Sequence, residues 1–253
     1  IAIVGRQPAS SAFTQAYSPD GRWLLTVDQS HNYQLWDGNQ GAFVIRLGEA
    51  DGAKALMFSP DGTRLLTQTP LGKVQLFDGE TGGLVNELDD VMPIAHAEFS
   101  LNSKVVALTD VYGQLNVRNA SDGSKVALGG WTIAVSSVEF SPDSTKLALI
   151  SQDQTRIGLL DINSETVEIV HLEQAEAISD TVTAVSFDFD ASYLAIGMKT
   201  GLVRVIKFQP GEDTDEVFDL DQHRDDDGDE VNHVLFSPDG AYLVTISVDG
   251  SAF

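Results

Sequence analysis

The chain has 253 residues, 42% hydrophobic and 21% charged, enough for a substantial core and long for one domain unless it is a barrel or a repeat array. Lys and Arg total 15 against 38 Asp and Glu, a formal net charge of -23, which argues against phosphate backbones and anionic lipid as partners and for a basic protein surface or a cation. Cysteine is absent, which excludes disulfides and thiolate metal sites.

The first residues, Ile1 to Pro8, lack the basic start and long apolar run of a signal peptide, and no apolar run approaches the about 18 residues that span a bilayer. A soluble, cytoplasmic protein with no membrane partner is expected. Past these residues one unit recurs. An aromatic followed by a turn appears as Tyr17-Ser18-Pro19-Asp20-Gly21, Phe58-Ser59-Pro60-Asp61-Gly62, Phe99-Ser100-Leu101-Asn102-Ser103, Phe140-Ser141-Pro142-Asp143-Ser144, Phe187-Asp188-Phe189-Asp190-Ala191 and Phe236-Ser237-Pro238-Asp239-Gly240. The first four aromatics are 41 residues apart and the last two intervals are 47 and 49, the mark of one structural unit with insertions late in the chain.

Within a unit, Pro presets the backbone of the turn, Ser bonds to it and Gly supplies freedom at its end, as between antiparallel strands. A short apolar segment precedes the turn and a β-rich one follows it, such as Leu24 to Thr26, Leu65 to Thr67 or Leu147 to Leu149. These runs are too short for helices. A second turn (Leu71-Gly72, Tyr112-Gly113, Asp249-Gly250) leads to a third strand, as in Tyr33 to Asp37 and Lys73 to Asp78, and a third turn to a fourth, as in Ala42 to Leu47. Four strands in about 41 residues is the size of a propeller blade, and continuous apolar strands imply sheets covered on both faces. The expectation is an all-β fold, a β-propeller of four-stranded antiparallel blades with six repeats, residues 1 to 253 forming a single domain. Ile1 to Val4 would supply the fourth strand of the last blade, whose third strand begins at Ser251 to Phe253, and so close a ring of six. An excerpt of a longer chain with seven or more blades is the competing reading.

The pairing of Phe58-Ser59-Pro60-Asp61-Gly62 with strands ending Leu35-Trp36-Asp37 and Leu76-Phe77-Asp78 resembles the WD-repeat family of β-propellers over essentially the whole chain. Only Trp36-Asp37 is the literal dipeptide; Arg118-Asn119, Leu160-Asp161 and Ile206-Lys207 stand in its place elsewhere. The family's Gly-His pair before the first strand of a blade is absent throughout, so the His-centred hydrogen-bond relay that ties those blades together cannot be assumed here. The resemblance implies a rigid protein-interaction platform without chemistry of its own.

Propeller loops sort onto two faces. The fourth-to-first and second-to-third connections would carry His31, Asp51, Asp89, Asp90, Tyr112, Trp131 and the insertion Asp221 to Glu230. This acidic face is the expected site for a protein partner, or another domain of the same chain, with a basic surface. Its candidate binding residues are Trp131, Tyr112, His31, Asp225, Asp226, Asp227, Asp229 and Glu230. The insertion has the carboxylate density that suits Ca²⁺, yet placing Gly228 sixth in a helix-loop-helix calcium frame puts His223 first and Val234 twelfth, and the pattern fails. It reads as a solvated acidic loop.

The five histidines, His31, His96, His171, His223 and His233, have no local ligand spacing and read as satisfied surface or strand residues. There is no G-x-S-x-G elbow, phosphate-cradling loop or H-E-x-x-H motif, and no basic patch interleaved with aromatics for nucleic acid. No catalytic residue, metal or cofactor is expected. The alternatives are a propeller hydrolase with acidic residues in a central funnel and a ligand- or ion-sensing propeller within a larger protein.

Overall fold

The computed structural model of the chain describes residues 15–27, 33–47, 54–69, 72–88, 93–128, 132–163, 166–170, 181–208, 216–221, 223 and 230–253. Among the described residues there are twenty-one strands and no helix long and apolar enough to cross a membrane. The chain divides into two compact units, Ile1–Val126 and Ala127–Phe253, each taken by itself below. Ile1 to Val4, expected as a closing strand, lie outside the described residues.

The first unit holds three antiparallel sheets. One runs β1 (Gln15–Tyr17), β2 (Trp23–Val27), β3 (Tyr33–Asp37), β4 (Phe43–Leu47), each strand beside its sequence neighbour. The next repeats it with β5 (Lys54–Phe58), β6 (Arg64–Gln68), β7 (Val74–Asp78) and β8 (Leu84–Leu88). The third has only β9 (Ile94–Phe99), β10 (Val105–Asp110) and β11 (Leu115–Asn119), and its fourth strand is reduced to an isolated bridge between Arg118 and Lys125. That departs from the expected four strands. Soon after Lys125 the chain runs into Gly129-Gly130, a pair that weakens a strand.

In the second unit β12 (Val135–Phe140), β13 (Lys146–Ser151), β14 (Ile157–Asp161) and β15 (Thr166–Val170) form the fourth sheet. The fifth is β16 (Val182–Phe187), β17 (Tyr193–Met198), β18 (Val203–Lys207) and β19 (Glu216–Leu220). The sixth is β20 (Val231–Phe236) with β21 (Leu243–Ser247), extended where Thr245 and Phe253 exchange both backbone hydrogen bonds. Ser251 to Phe253 thus begin a third strand, as the repeat predicts.

The second strands β6, β10, β13 and β17 are almost wholly buried on both faces, all six residues of β10 among them, whereas β21 is partly exposed. Sheets two and three pack Leu66, Leu76 and Leu88 against Phe99, Val106 and Leu108, and sheets four and five pack Ile150, Ile157 and Leu159 against Phe187, Leu194 and Ile196. Each such Leu or Ile contributes about 2 kcal/mol by leaving water.

The turns explain the repeated sequence. In the second, Ser59 Oγ donates to Asp61 Oδ1 (2.7 Å) and accepts the Arg64 N–H (2.9 Å), while Asp61 Oδ1 accepts the Thr63 N–H (3.0 Å). Gly62 closes it at φ 72°. The equivalent Ser103, Ser144 and Ala191 adopt the same left-handed backbone, at φ 61°, 62° and 58°, at a steric cost glycine avoids.

Backbone bonds also sort the loops. The third-to-fourth turn is tied to the first-to-second turn in five sheets, by N–H donation from Gly38 to Arg22, Gly79 to Thr63, Ala120 to Lys104, Ile162 to Thr145 and Phe208 to Ser192. The second-to-third loop is tied instead to the entry of its own first strand, by Val111 to Pro93, Gln152 to Ala134, Lys199 to Thr181 and Val248 to Glu230. In the third, fourth and fifth sheets, where both ties are described, the two ends carry the two sets of loops expected from the sequence.

Candidate interaction face

In the first unit this face is described best at the β10–β11 loop. Asp110 is buried, and its Oδ1 accepts the N–H groups of Tyr112 and Gln114, each at 2.8 Å. Its carboxylate therefore fixes the loop rather than facing a ligand. Val111 and Tyr112 project from this fixed base, Tyr112 at 68% exposure. An exposed aromatic on a rigid loop is the kind of group that anchors a partner.

In the second unit Ser151 Oγ donates to Asp153 Oδ1 (2.5 Å), which also accepts the Thr155 N–H (3.2 Å). The serine hydroxyl, followed by the amide, holds Asp153 down to about 2. Asp249 Oδ1 accepts the Ser251 N–H at 2.7 Å. Glu230 is partly exposed, and its carbonyl accepts the Val248 N–H. Tyr112 and Glu230 are the candidate binding residues that the structure describes. His31, Trp131, Asp225, Asp226, Asp227 and Asp229 lie outside the described residues, as do Asp51, Asp89 and Asp90. Among the described residues no group of three or more His, Asp or Glu side chains is placed to hold a metal ion.

The fold has known counterparts. The β-propeller domain of Myceliophteria thermophila Cps50 (Swd1) superposes with a TM-score of 0.54 at 15% identity over 99% of this chain and 87% of that one. The computationally designed Ika8 protein gives 0.59 at 19% identity, over 96% and 70%. At these identities the likeness is one of fold. The model of the WD domain, G-beta repeat, matches residues 214–253. These matches support a WD-repeat type of β-propeller for the chain. Two curated relatives are the eukaryotic translation initiation factor 3 subunit I of Aspergillus oryzae, 26% identical over 162 residues, and that of Emericella nidulans, 25% identical over 163. Each alignment covers 61% of this chain and 47% of the relative, so the chain spans about half the length of the curated relatives it matches.

The residues matched by the WD model hold a feature the sequence reading did not expect. His223 is 3% exposed, and hydrogen bonds join its Nδ1 to Ser251 Oγ (3.0 Å) and its Nε2 to Thr245 Oγ1 (2.8 Å). Its ring meets Phe253 edge-on at 4.8 Å. A His-centred hydrogen-bond relay is thus present in the sixth repeat, tying the loop before β20 to β21 and the start of the third strand. A search for Gly-His misses it because Gln222 precedes the histidine. The signal was there in another form, as a His ahead of a first strand with Thr245 and Ser251 at the second and third strands. In the first repeat Trp36 Nε1 donates to Thr26 Oγ1 at 2.9 Å, so the literal Trp-Asp dipeptide is structural. Asp37 Oδ1 accepts the N–H groups of Asn39 and Gln40.

A buried ion pair was also missed. Arg204 on β18 meets its cross-strand neighbour Asp219 on β19 through two bonds, Nε to Oδ1 at 2.7 Å and an Nη to Oδ2 at 2.9 Å. The bond to Asp219, outweighing burial, raises the Arg204 pKa. No spacing rule in one sequence joins residues fifteen apart across a long turn.

Proposed function

We propose that residues 1–253 act as one non-catalytic protein-interaction scaffold, whose acidic loop face docks on a basic surface of another protein or of another domain of its own chain. The observation that carries this reading is the use made of the carboxylates in the described loops. Asp110, Asp153 and Asp249 each bind backbone N–H groups of their own loop, so these acids shape a surface instead of converging on a substrate. The aromatic Tyr112 and the net charge of -23 supply an anchor and a steering field. The name of the curated relatives, subunits of a translation initiation factor, supports a place in a multi-protein assembly. Nucleic acid, membrane and cofactor have no part in the reading.

The test is capture of partners from the native source by the immobilised protein at increasing salt. Binding is expected to weaken steeply with ionic strength, and to fall when Asp225, Asp226, Asp227 and Asp229 are replaced together by Asn, or when Tyr112, Trp131 or His31 is replaced by Ala. Undiminished capture by the fourfold Asn variant would show that the acidic face is not the docking surface.

A further inference from the structure

Sheet five ends outward in β19, Glu216-Val217-Phe218-Asp219-Leu220, and among the described residues no strand pairs with its outer edge. Its inner edge is paired in register with β18 along its whole length. Two other outer strands differ. β4 and β8 are shifted in register against β3 and β7, between Leu35 and Trp36 and between Leu76 and Phe77, and a bulge of that kind twists an edge away from further pairing. β19 has neither bulge nor proline.

The bonding pattern fixes which groups of β19 face out. Met198 is joined to Leu202 and Phe208 to Ser192 by backbone bonds, and hydrogen-bonded pairs alternate along an antiparallel ladder. Val203, Val205 and Lys207 therefore turn their backbone groups to β19, where they meet Leu220, Phe218 and Glu216. Val217 turns its own N–H and C=O the other way, out of the edge of the sheet.

The side chains beside that edge are apolar and open. Val217 is 47% exposed and Phe218 43%, on opposite faces of the strand. Each continues a buried row, Val217 standing opposite Ile206 and Phe218 opposite Val205. Edge strands are commonly guarded by charge, but both acids here turn back onto β18, Glu216 to Lys207 at 3.2 Å and Asp219 to Arg204 at 2.7 Å. The charge of the chain selects what covers the edge. A second copy would bring together two molecules each of net charge -23, and such self-repulsion keeps copies apart. From Glu212 to Glu230 the sequence around β19 holds eleven Asp or Glu and, as its one Lys or Arg, Arg224. A segment with basic ends is attracted there.

We propose that β19 is a docking edge that takes an extended segment of another protein as an added strand, apolar at successive central positions and basic at both ends. The Val217 N–H and C=O bond to the backbone of that segment, and its alternate side chains lie beside Val217 on one face and Phe218 on the other. This edge runs along the length of a strand and not at its loop ends, so the proposal stands apart from the docking of the loop face.

The probe is a synthetic peptide with Lys at both ends and a central run of Val, Ile and Phe matched to the length of β19, labelled for fluorescence anisotropy and added to the intact chain. Saturable binding is expected, with slowed hydrogen exchange at the Val217 amide. Methylating the backbone nitrogens of the central run, replacing the peptide's Lys by Glu, or changing Val217→Pro or Phe218→Lys in the protein is each expected to weaken binding about tenfold or more. Tyr112→Ala, which reports on the loop face, is expected to leave it unchanged. No saturable binding, a methylated peptide that binds as well as its parent, or protection on another outer strand overturns the proposal. Protection of Val217 that rises with protein concentration in the absence of peptide would make the occupant a second copy and overturns it too. The exchange measurement uses the unaltered chain, so it decides even if Val217→Pro fails to fold.

Discussion

His223 Nε2 lies 2.8 Å from Thr245 Oγ1 while its Nδ1 lies 3.0 Å from Ser251 Oγ, so one ring spans two hydroxyls on β21 and the strand that comes after it. Thr245 is itself buried. Each hydroxyl can donate or accept, which lets either neutral tautomer satisfy both bonds. Replacing His223 by Ala would leave a buried hydroxyl without its partner and remove the ring beneath Phe253. A loss of about 1–3 kcal/mol is expected, measured as a lower urea midpoint. Ser251→Ala should cost less, since Thr245 keeps its bond.

Ser59 is fully buried, and it both donates to Asp61 and accepts the Arg64 N–H. Ser59→Ala removes both bonds and strands an amide at the start of β6. The expected cost is again about 1–3 kcal/mol, and the Arg64 amide should exchange its hydrogen much faster than in the parent. Thr63→Ala, which removes only a hydroxyl bond to Asp61 at an exposed position, is expected to stay within about 0.5 kcal/mol of the parent.

These turns also mark how much was legible in advance. Ser-Pro-Asp-Gly recurs because each of its residues has a local job, and local chemistry can be read from one sequence. The strands could be placed from it, as could loops such as Val111–Tyr112 and Val248–Asp249 at one end of their sheets. The missing fourth strand of the third sheet was harder, because Ser124 to Val126 has strand-like residues yet forms only the bridge from Lys125 to Arg118. His223 and the Arg204–Asp219 pair depend on contacts between distant segments. Of the candidate binding residues, Tyr112 was readable as a loop aromatic. That Asp110 beneath it points inward to the loop backbone was not, since composition counts an acid without its direction.

Acid should weaken the molecule through its turns. Asp20 is held below the ordinary value of 3.8 first by the Ser18 hydroxyl, and Asp239 first by that of Ser237. Burial works against ionisation of Asp61 and Asp143, yet the surrounding N–H and hydroxyl bonds outweigh it and lower both. Asp153 is drawn to about 2. For a carboxylate depressed in the folded state, the stabilisation is present above the unfolded value and is lost as pH falls through the folded one. Urea midpoints are therefore expected to hold near pH 5 and drop between about pH 4 and pH 2. Asp153→Asn should shrink the part of that drop lying nearest pH 2; an identical acid profile for the variant would show that the Ser151–Asp153 bond contributes nothing.

The Arg204–Asp219 pair makes the opposite demand, for a charge kept rather than a proton lost. The Arg204 side chain is only 4% exposed, whereas Asp219 keeps 35% of its side chain open on the outer strand β19. The two partners are thus unequal. Removing the arginine leaves an aspartate that water can reach; removing the aspartate takes the bidentate carboxylate from a buried guanidinium, and breaking a buried pair from the side of its less exposed member costs several kcal/mol. Asp219→Ala is expected to lose about 3 kcal/mol, and Arg204→Met, which keeps the length and apolar stem of the side chain, about 1 kcal/mol or less. The double variant should be less damaging than Asp219→Ala alone, giving a coupling energy of about 2 kcal/mol in a double-mutant cycle. If the two single variants cost the same, the burial of Arg204 does not govern the strength of the pair.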